Sequence, residues 1–417
     1  MTAGTQRLLP SWVSLRRIGT LAVGRAAAAG IGFLGVAMVA RLLSPAELGL
    51  WSMALAVQAY ALHLGEFGLR SVATAEAARA PAGIGRLLPR YLGLRLGLSL
   101  AVLAVLVVGT KLLAPDALTP VTLATAAILP VSLQLDWLAL SADRPGLAAG
   151  LLLVRPVAFV VLLAPLSSPG SAAAVALVYL GSWWIAAAAS WTTLTDLPKG
   201  GGSPVDGPLA MLRAGAPLCA VTLTNQMQTA ADLLAVGAVL GIATAGDYYL
   251  ASQIAVAGLV VANAAGQAGL ARLAPLAADP QAFRQLLGRE LRLVGGLGFV
   301  LAAGLGLAAP LVVPVAFGAE HRGAVPLVLW LLPWFVLQHP TTLLQGGLAG
   351  IGRGRDVLLG NAVLLAVLLP GLAVAAMTGR AEAFACVRGL GEAARLLVLH
   401  RRAFGERLRG PATAELC

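Results

Sequence analysis

The chain has 417 residues, of which 59% are hydrophobic and 11% charged, and a net charge of +11. Soluble domains are about 45–50% apolar and about 25% charged, so a water-soluble core cannot hide this much apolar surface. The composition predicts an all-α polytopic membrane protein, because lipid tolerates only backbones whose hydrogen bonds are satisfied internally.

In chain order, apolar stretches near the ~20 residues of a membrane-spanning helix occur at 18–40, 47–69, 91–113, 119–141, 147–166 and 172–194. Six more follow at 214–241, 247–270, 291–315, 323–345, 355–378 and 380–400. The interval 195–213, TDLPKGGGSPVDGPLAMLR, has the Gly, Ser and Pro content of a linker. It separates an N-terminal six-helix lobe (1–194) from a C-terminal one (214–417). The run after Arg16 and Arg17 shows no small-residue cleavage site, so it reads as a retained first span rather than a signal peptide.

Twenty Lys and Arg residues fall in alternate gaps, those on the side of the N-terminus, and only Arg41, Lys111, Arg322 and Arg380 on the other. Cytoplasmic loops are enriched in basic residues, which predicts both termini inside the cell and an even number of spans. That is the reason to keep the last stretch, 380–400, despite Arg388, Glu392 and Arg395 within it. The same topology signal accounts for most of the positive charge. No basic stripe interleaved with aromatics points to nucleic acid.

The halves resemble each other. Leu15-Arg16-Arg17-Ile18-Gly19 opens the first and Met211-Leu212-Arg213-Ala214-Gly215 the second. Gly49-Leu50-Trp51 follows 30 residues after Gly19, and Gly246-Asp247-Tyr248 follows 31 after Gly215. Repeats with an even number of spans share one orientation, which implies a pseudo-two-fold axis along the membrane normal and a cavity between the lobes.

Ala40-Arg41-Leu42-Leu43-Ser44-Pro45-Ala46-Glu47-Leu48-Gly49-Leu50-Trp51, with Glu66-Phe67-Gly68-Leu69-Arg70, resembles the first hairpin of polysaccharide-biosynthesis (O-antigen-type) flippases. These belong to the multidrug/oligosaccharidyl-lipid/polysaccharide exporter superfamily. The resemblance implies a MATE-like pair of six-helix lobes in the bacterial cytoplasmic membrane. It implies transfer of a polyprenyl-diphosphate-linked oligosaccharide to the outer leaflet, with membrane lipids, a polysaccharide polymerase and glycosyltransferases as partners and no cofactor. A cation-coupled multidrug exporter of the same superfamily is the alternative. A membrane glycan polymerase or ligase is disfavoured by the short outer loops at 111–118 and 316–322.

Intramembrane charge costs roughly 2.5–3.5 kcal/mol per residue even on lenient scales, so the five arginines outside the loops need explanations. Arg95, one turn past Tyr91, is expected to reach the headgroups. Arg25 and Arg155 lie about two turns inside their spans and are candidates to hold an anionic diphosphate through paired guanidinium donors. An internal bridge, such as Arg155 with Asp136, is the structural alternative. Arg388, Glu392 and Arg395 share one helical face and read as an internally paired stripe on an interfacial or poorly inserted last helix, with a substrate role as the alternative.

Asn225, Gln228 and Asp232 share a face of the seventh span, as Asn263 and Gln267 do on the eighth. Such faces suit either sugars or interhelical hydrogen bonds. Asp232 is a candidate for a coupling cation or proton, or for a pair with Arg25 across the lobes. His63 lies three residues before Glu66, and Glu66–Arg70 at the membrane edge reads as a structural pair rather than a proton relay, while His339 reads as a core histidine. Cys219, Cys386 and Cys417 form no disulfide or metal-ligand pattern. Gly350-Ile351-Gly352-Arg353-Gly354-Arg355 lacks the strand–helix context of a nucleotide loop and reads as a turn.

Overall fold

The structure, a computed structural model, describes residues 11–79, 83–142, 144–196 and 207–405, within which the side chains of 11–18, 21–22, 140, 194–196, 261, 267–268 and 270–271 are excluded. Sixteen α-helices and four short 3-10 turns make up the described chain, which contains no strand. The first half holds α1 (Ser11–Leu42), α2 (Pro45–Glu66), α3 (Leu69–Arg79), α4 (Ile84–Leu113), α5 (Leu118–Ala126), α6 (Ile128–Ser132), α7 (Asp136–Ser141), α8 (Pro145–Leu163) and α9 (Ala172–Ser190). The second half holds α10 (Pro208–Leu240), α11 (Ile242–Gly258), α12 (Val260–Leu273), α13 (Pro280–Phe317), α14 (Ala324–Gly350), α15 (Gly354–Thr378) and α16 (Ala381–Phe404).

Helix starts carry local signals. Ser44 accepts from the Glu47 amide ahead of Pro45, and Asp279 accepts from the Gln281 and Ala282 amides ahead of Pro280. The expected linker is shorter than its composition suggests. Proline at the first position lets α10 start at Pro208, inside the 195–213 interval, whose residues 197–206 lie outside the described set.

Two expected spans are interrupted. The stretch 119–141 is divided among α5, α6 and α7, with non-helical backbone between Ser132 and Asp136. Backbone groups inside a membrane protein must find partners within the protein, and here α9 and the turn after it supply them. Ser190 Oγ accepts from the Leu135 amide, Trp191 Nε1 donates to the Leu133 carbonyl, and Thr193 Oγ1 donates to that of Leu135. The stretch 247–270 breaks at Leu259 into α11 and α12.

Nine helices among the described residues are long and apolar enough to cross a membrane. The other expected passes are α10, the α11–α12 pair and α16. They fall short because α11 has 17 residues and α10 and α16 carry polar faces, which turn into the protein rather than toward lipid. With them the chain forms a twelve-pass, two-lobe membrane protein. In the first lobe α1 packs on α8, α8 on α9, and α5 on α2; in the second, α14 packs on α12, α13 and α16, and α15 on α16. We call the side holding Arg70, Arg213, Arg272 and Arg353 the arginine-rich face.

The lobes meet along α2, which lies against α10 and α11. A Cβ on Gly49 would overlap the Ile242 carbonyl oxygen, and one on Gly246 would lie 3.0 Å from the Pro45 oxygen and 3.1 Å from the Gly49 nitrogen. The two glycines matched in the repeat thus touch each other. Matched residues meet only where the pseudo-two-fold axis passes between them. Gly68 (φ +70°) and Gly215 make a second backbone contact at the arginine-rich face.

Toward the opposite face α1 meets the second lobe. Arg41 donates through Nε to the Ala316 carbonyl at 3.0 Å and through its terminal nitrogen to that of Val315, at the C-terminus of α13. His321 Nε2 lies 3.2 Å from the Ala40 carbonyl oxygen and its Nδ1 3.4 Å from Asp247. Phe33 packs edge-on against Phe317 with 5.7 Å between centroids. This seam ties α1 to the second lobe near the opposite face.

Gly49→Ala should lower the melting temperature of the detergent-solubilised protein by several degrees, the effect of about 1–3 kcal/mol of overpacking. Gly109→Ala, with nothing within 4 Å of the added atom, should melt with the wild type. Equal melting of both variants would mean that the crossing is not limited by backbone contact.

Candidate functional site: a divided cavity between the lobes

Below the seam, a cavity of about 820 Å³ separates α1 from α10, α12, α14 and α15. Arg25 stands on the α1 wall, and Asn225, Asn263, Gln345 and Asn361 are on the walls of the second lobe. No carboxylate lines it among the described residues, and none lies within ion-pair distance of Arg25. Arg25, Asn225 and Asn263 were expected at such a site. Gln345 and Asn361 were not, and their only signal is that each is an amide inside an apolar span. The side chain of Gln267 lies outside those described.

Behind the cavity wall, α16 delivers Arg395 into a fully internal network. Arg395 donates to both carboxylate oxygens of Glu392 (2.5 and 3.2 Å), to Gln228 Oε1 at 2.6 Å and to Gln338 Oε1 at 2.9 Å. An arginine only donates, so it fixes the orientation of each amide in turn. Gln228 shows Arg395 its oxygen and donates through Nε2 to Asn225 Oδ1 at 3.0 Å. Asn361 Nδ2 donates to the same oxygen at 3.2 Å. With its oxygen doubly occupied, Asn225 keeps its N–H donors for the cavity. At Asn225 the wall therefore offers donors, suited to anionic or oxygen-rich ligands, whereas Gln345 donates through Nε2 to Asn361 Oδ1 at 3.1 Å and keeps its oxygen for the cavity. Gln228 belongs to the support of the wall rather than its surface.

One turn and more toward the opposite face, Asp232 accepts from Arg388 at 2.9 Å and from the Tyr248 hydroxyl at 2.8 Å. Asp232 is 1% exposed and Arg388 3%. The guanidinium lies over Trp334, 3.7 Å from the ring centroid. The expected alternatives for Asp232 were a pair with Arg25 or a bound cation, but the structure gives this carboxylate a partner within its own lobe. The Arg388–Glu392–Arg395 stripe is also not interfacial. α16 turns it into the second lobe, where desolvation compels pairing.

Arg155 occupies a separate compartment of about 300 Å³, lined by Trp51, Phe159, Tyr179, Tyr249 and Gln253 among others. Its guanidinium lies 5.0 Å from the Trp183 ring centroid and 5.9 Å from that of Tyr179. Among the described residues it has no hydrogen-bond or carboxylate partner. Asp136, its suggested partner, is bound by Arg70 at 2.6 Å. Arg70 therefore takes Asp136 rather than Glu66. Arg95 does not reach the headgroups. It is 2% exposed and donates to the Tyr91 hydroxyl at 2.6 Å, because α4 turns this face inward. His63 Nε2 lies 3.3 Å from Gln226 Oε1 across the lobes.

Removing one partner of a buried ion pair typically costs about 3–5 kcal/mol, whereas replacing both with apolar residues can be nearly neutral. Asp232→Asn and Arg388→Met should each lower the melting temperature strongly, and Asp232→Leu with Arg388→Met should recover most of the loss. A double variant as unstable as the sum of the singles would show that the pair is not a closed unit.

The sequence matches the family model described as polysaccharide biosynthesis protein over residues 14–270. No curated protein matches the chain. Among solved structures, the fold is similar to the lipid II flippase MurJ in an inward closed conformation, with a TM-score of 0.74, 10% identity, and coverage of 91% of this chain and 86% of that one. It is similar to a multidrug resistance MATE family transporter of the MOP superfamily in an inward-facing conformation, with a TM-score of 0.67, 15% identity, and coverage of 89% and 94%. An outward-facing conformation of such a transporter gives 0.58 at 15% identity, with coverage of 93% and 95%. The family match covers more than half of the sequence, and the shared fold agrees with it: this chain belongs to the polysaccharide biosynthesis protein family.

Proposed function

We propose that the protein is a flippase that moves a polyprenyl-diphosphate-linked oligosaccharide from the inner to the outer leaflet of the bacterial cytoplasmic membrane. The arginine-rich face is then cytoplasmic, in keeping with the bias of basic loops, and the cavity opens to the side where lipid-linked glycans are assembled. The observation that carries this reading is the charge balance of the cavity: an unpaired Arg25 faces side-chain amides, with no carboxylate among the described lining residues. A guanidinium offers two parallel donors to phosphate oxygens, and the amides of Asn225 and Asn263 offer donors to sugar hydroxyls. A cation-coupled drug exporter needs an available carboxylate, and Asp232 is committed to Arg388 and Tyr248.

The mechanism is alternating access. The diphosphate enters beside Arg25 while the prenyl chain stays in lipid, and the lobes pivot about the glycine crossing of α2 and α11. Opening the far side requires breaking the Arg41–α13 bonds and the His321–Ala40 contact. Glycosyltransferases would supply the substrate and a polysaccharide polymerase would consume it. Neither the pivot nor the seam requires a cofactor.

Arg25→Ala should cut surface glycan about tenfold or more, as expected for a lost charge-assisted hydrogen bond, and lipid-linked oligosaccharide should accumulate at unchanged protein level. Arg25→Lys should restore part of the export. Full export by Arg25→Ala would defeat the assignment. In a cysteine-free background, a cysteine at Gly32 should react with an impermeant maleimide from outside several-fold faster once Arg41→Ala and His321→Ala are added. An unaltered rate would mean that these contacts do not hold the seam.

A further inference from the structure

Among the described residues, two arginines rest on tryptophan rings, and they differ in one respect. Arg388 over Trp334 is neutralised by Asp232. Arg155 over Trp183 has no carboxylate and no hydrogen-bond acceptor among the described residues. The aromatic faces hold the cation in place but leave its donors unused. Arg155 is half-buried; a cation held partly out of water without a counter-charge carries a cost, which an anion bound beside it reduces.

Depth separates this site from Arg25. α1 and α8 run side by side, with Gly24 against Ala149 and Gly35 against Phe159. That register places Arg155 level with residue 30 of α1, about 7 Å beyond Arg25 at 1.5 Å per residue. The two compartments share Ala29 and Val260 on their walls, so they adjoin. A diphosphate whose prenyl chain remains in lipid occupies the entrance, and what projects inward from it is the glycan. The inner compartment, about 300 Å³, stands at the small end of the ~300–1,000 Å³ range of ligand pockets. Trp51, Phe159, Tyr179 and Tyr249 give it flat apolar faces, while Gln253 and Arg155 supply polar contacts. This is the chemistry of a single sugar ring bearing a negative charge.

We infer that the inner compartment is a subsite for a carboxylate-bearing sugar near the reducing end of the glycan, with Arg155 as its anion receptor. The assignment rests on the flippase reading and divides the arginines by role: Arg25 for the diphosphate, Arg155 for the acidic sugar. Three probes test it on the purified full chain in nanodiscs: undecaprenyl diphosphate, the same lipid carrying glucose, and the same lipid carrying glucuronic acid.

The wild type should bind the glucuronic acid compound about tenfold more tightly than the glucose compound, the scale of one charge-assisted contact. Arg155→Gln should reduce that ratio to near one, Arg155→Lys should keep part of it, and Arg25→Gln should weaken all three probes. Melting curves check that each variant is folded. Equal binding of the two glycolipids by the wild type would overturn the subsite. So would equal weakening of both by Arg155→Gln, which would make Arg155 a diphosphate contact. Failure of the folded wild type to bind any of the three would instead overturn the flippase reading itself.

Discussion

At Gly49 the backbone of α2 passes the backbone of α11 with no room for a methyl group, and the rest of the architecture is arranged around that contact. Lipid offers little hydrophobic drive between helices, so close van der Waals approach through small residues has to supply it. The contact pairs Gly49 with Gly246, its counterpart in the duplicated half. A contact between counterparts lies on the symmetry axis, which moves least when two lobes rock. The seam formed by Arg41 and His321 lies off that axis and has to part if the opposite face is to open.

The second organising constraint is the cost of charge away from water. It sorts four of the five intramembrane arginines into two classes, Arg95 being held by the Tyr91 hydroxyl. Arg388 and Arg395 are enclosed by Asp232, Glu392 and amides, and they stabilise the second lobe from within. Arg25 and Arg155 face open space without a counter-charge. The first class also shapes the site indirectly. Because a guanidinium can only donate, Arg395 sets the amide orientation of Gln228 and, through it, of Asn225, and so leaves the Asn225 N–H groups rather than its oxygen for the cavity.

The amino-acid order by itself determined the membrane class, the number of passes, the duplicated halves and the family, because each depends on one-dimensional quantities: hydrophobic length, loop charge and local motif. It also isolated Arg25, Asn225 and Asn263 as polar groups in apolar spans. Several matters were beyond its reach. A helical face is visible in sequence, but what it faces is not, so Asp232 looked like a free carboxylate although α16 brings Arg388 to it from 156 residues away. Arg95 looked long enough to reach the headgroups, but α4 turns it inward to Tyr91. The breaks at 133–135 and 259 carry no strong sequence signal, because the first is satisfied by side chains more than 50 residues distant. Whether an intramembrane arginine is paired or free depends on which helices pack together, and that was decided only by the tertiary structure.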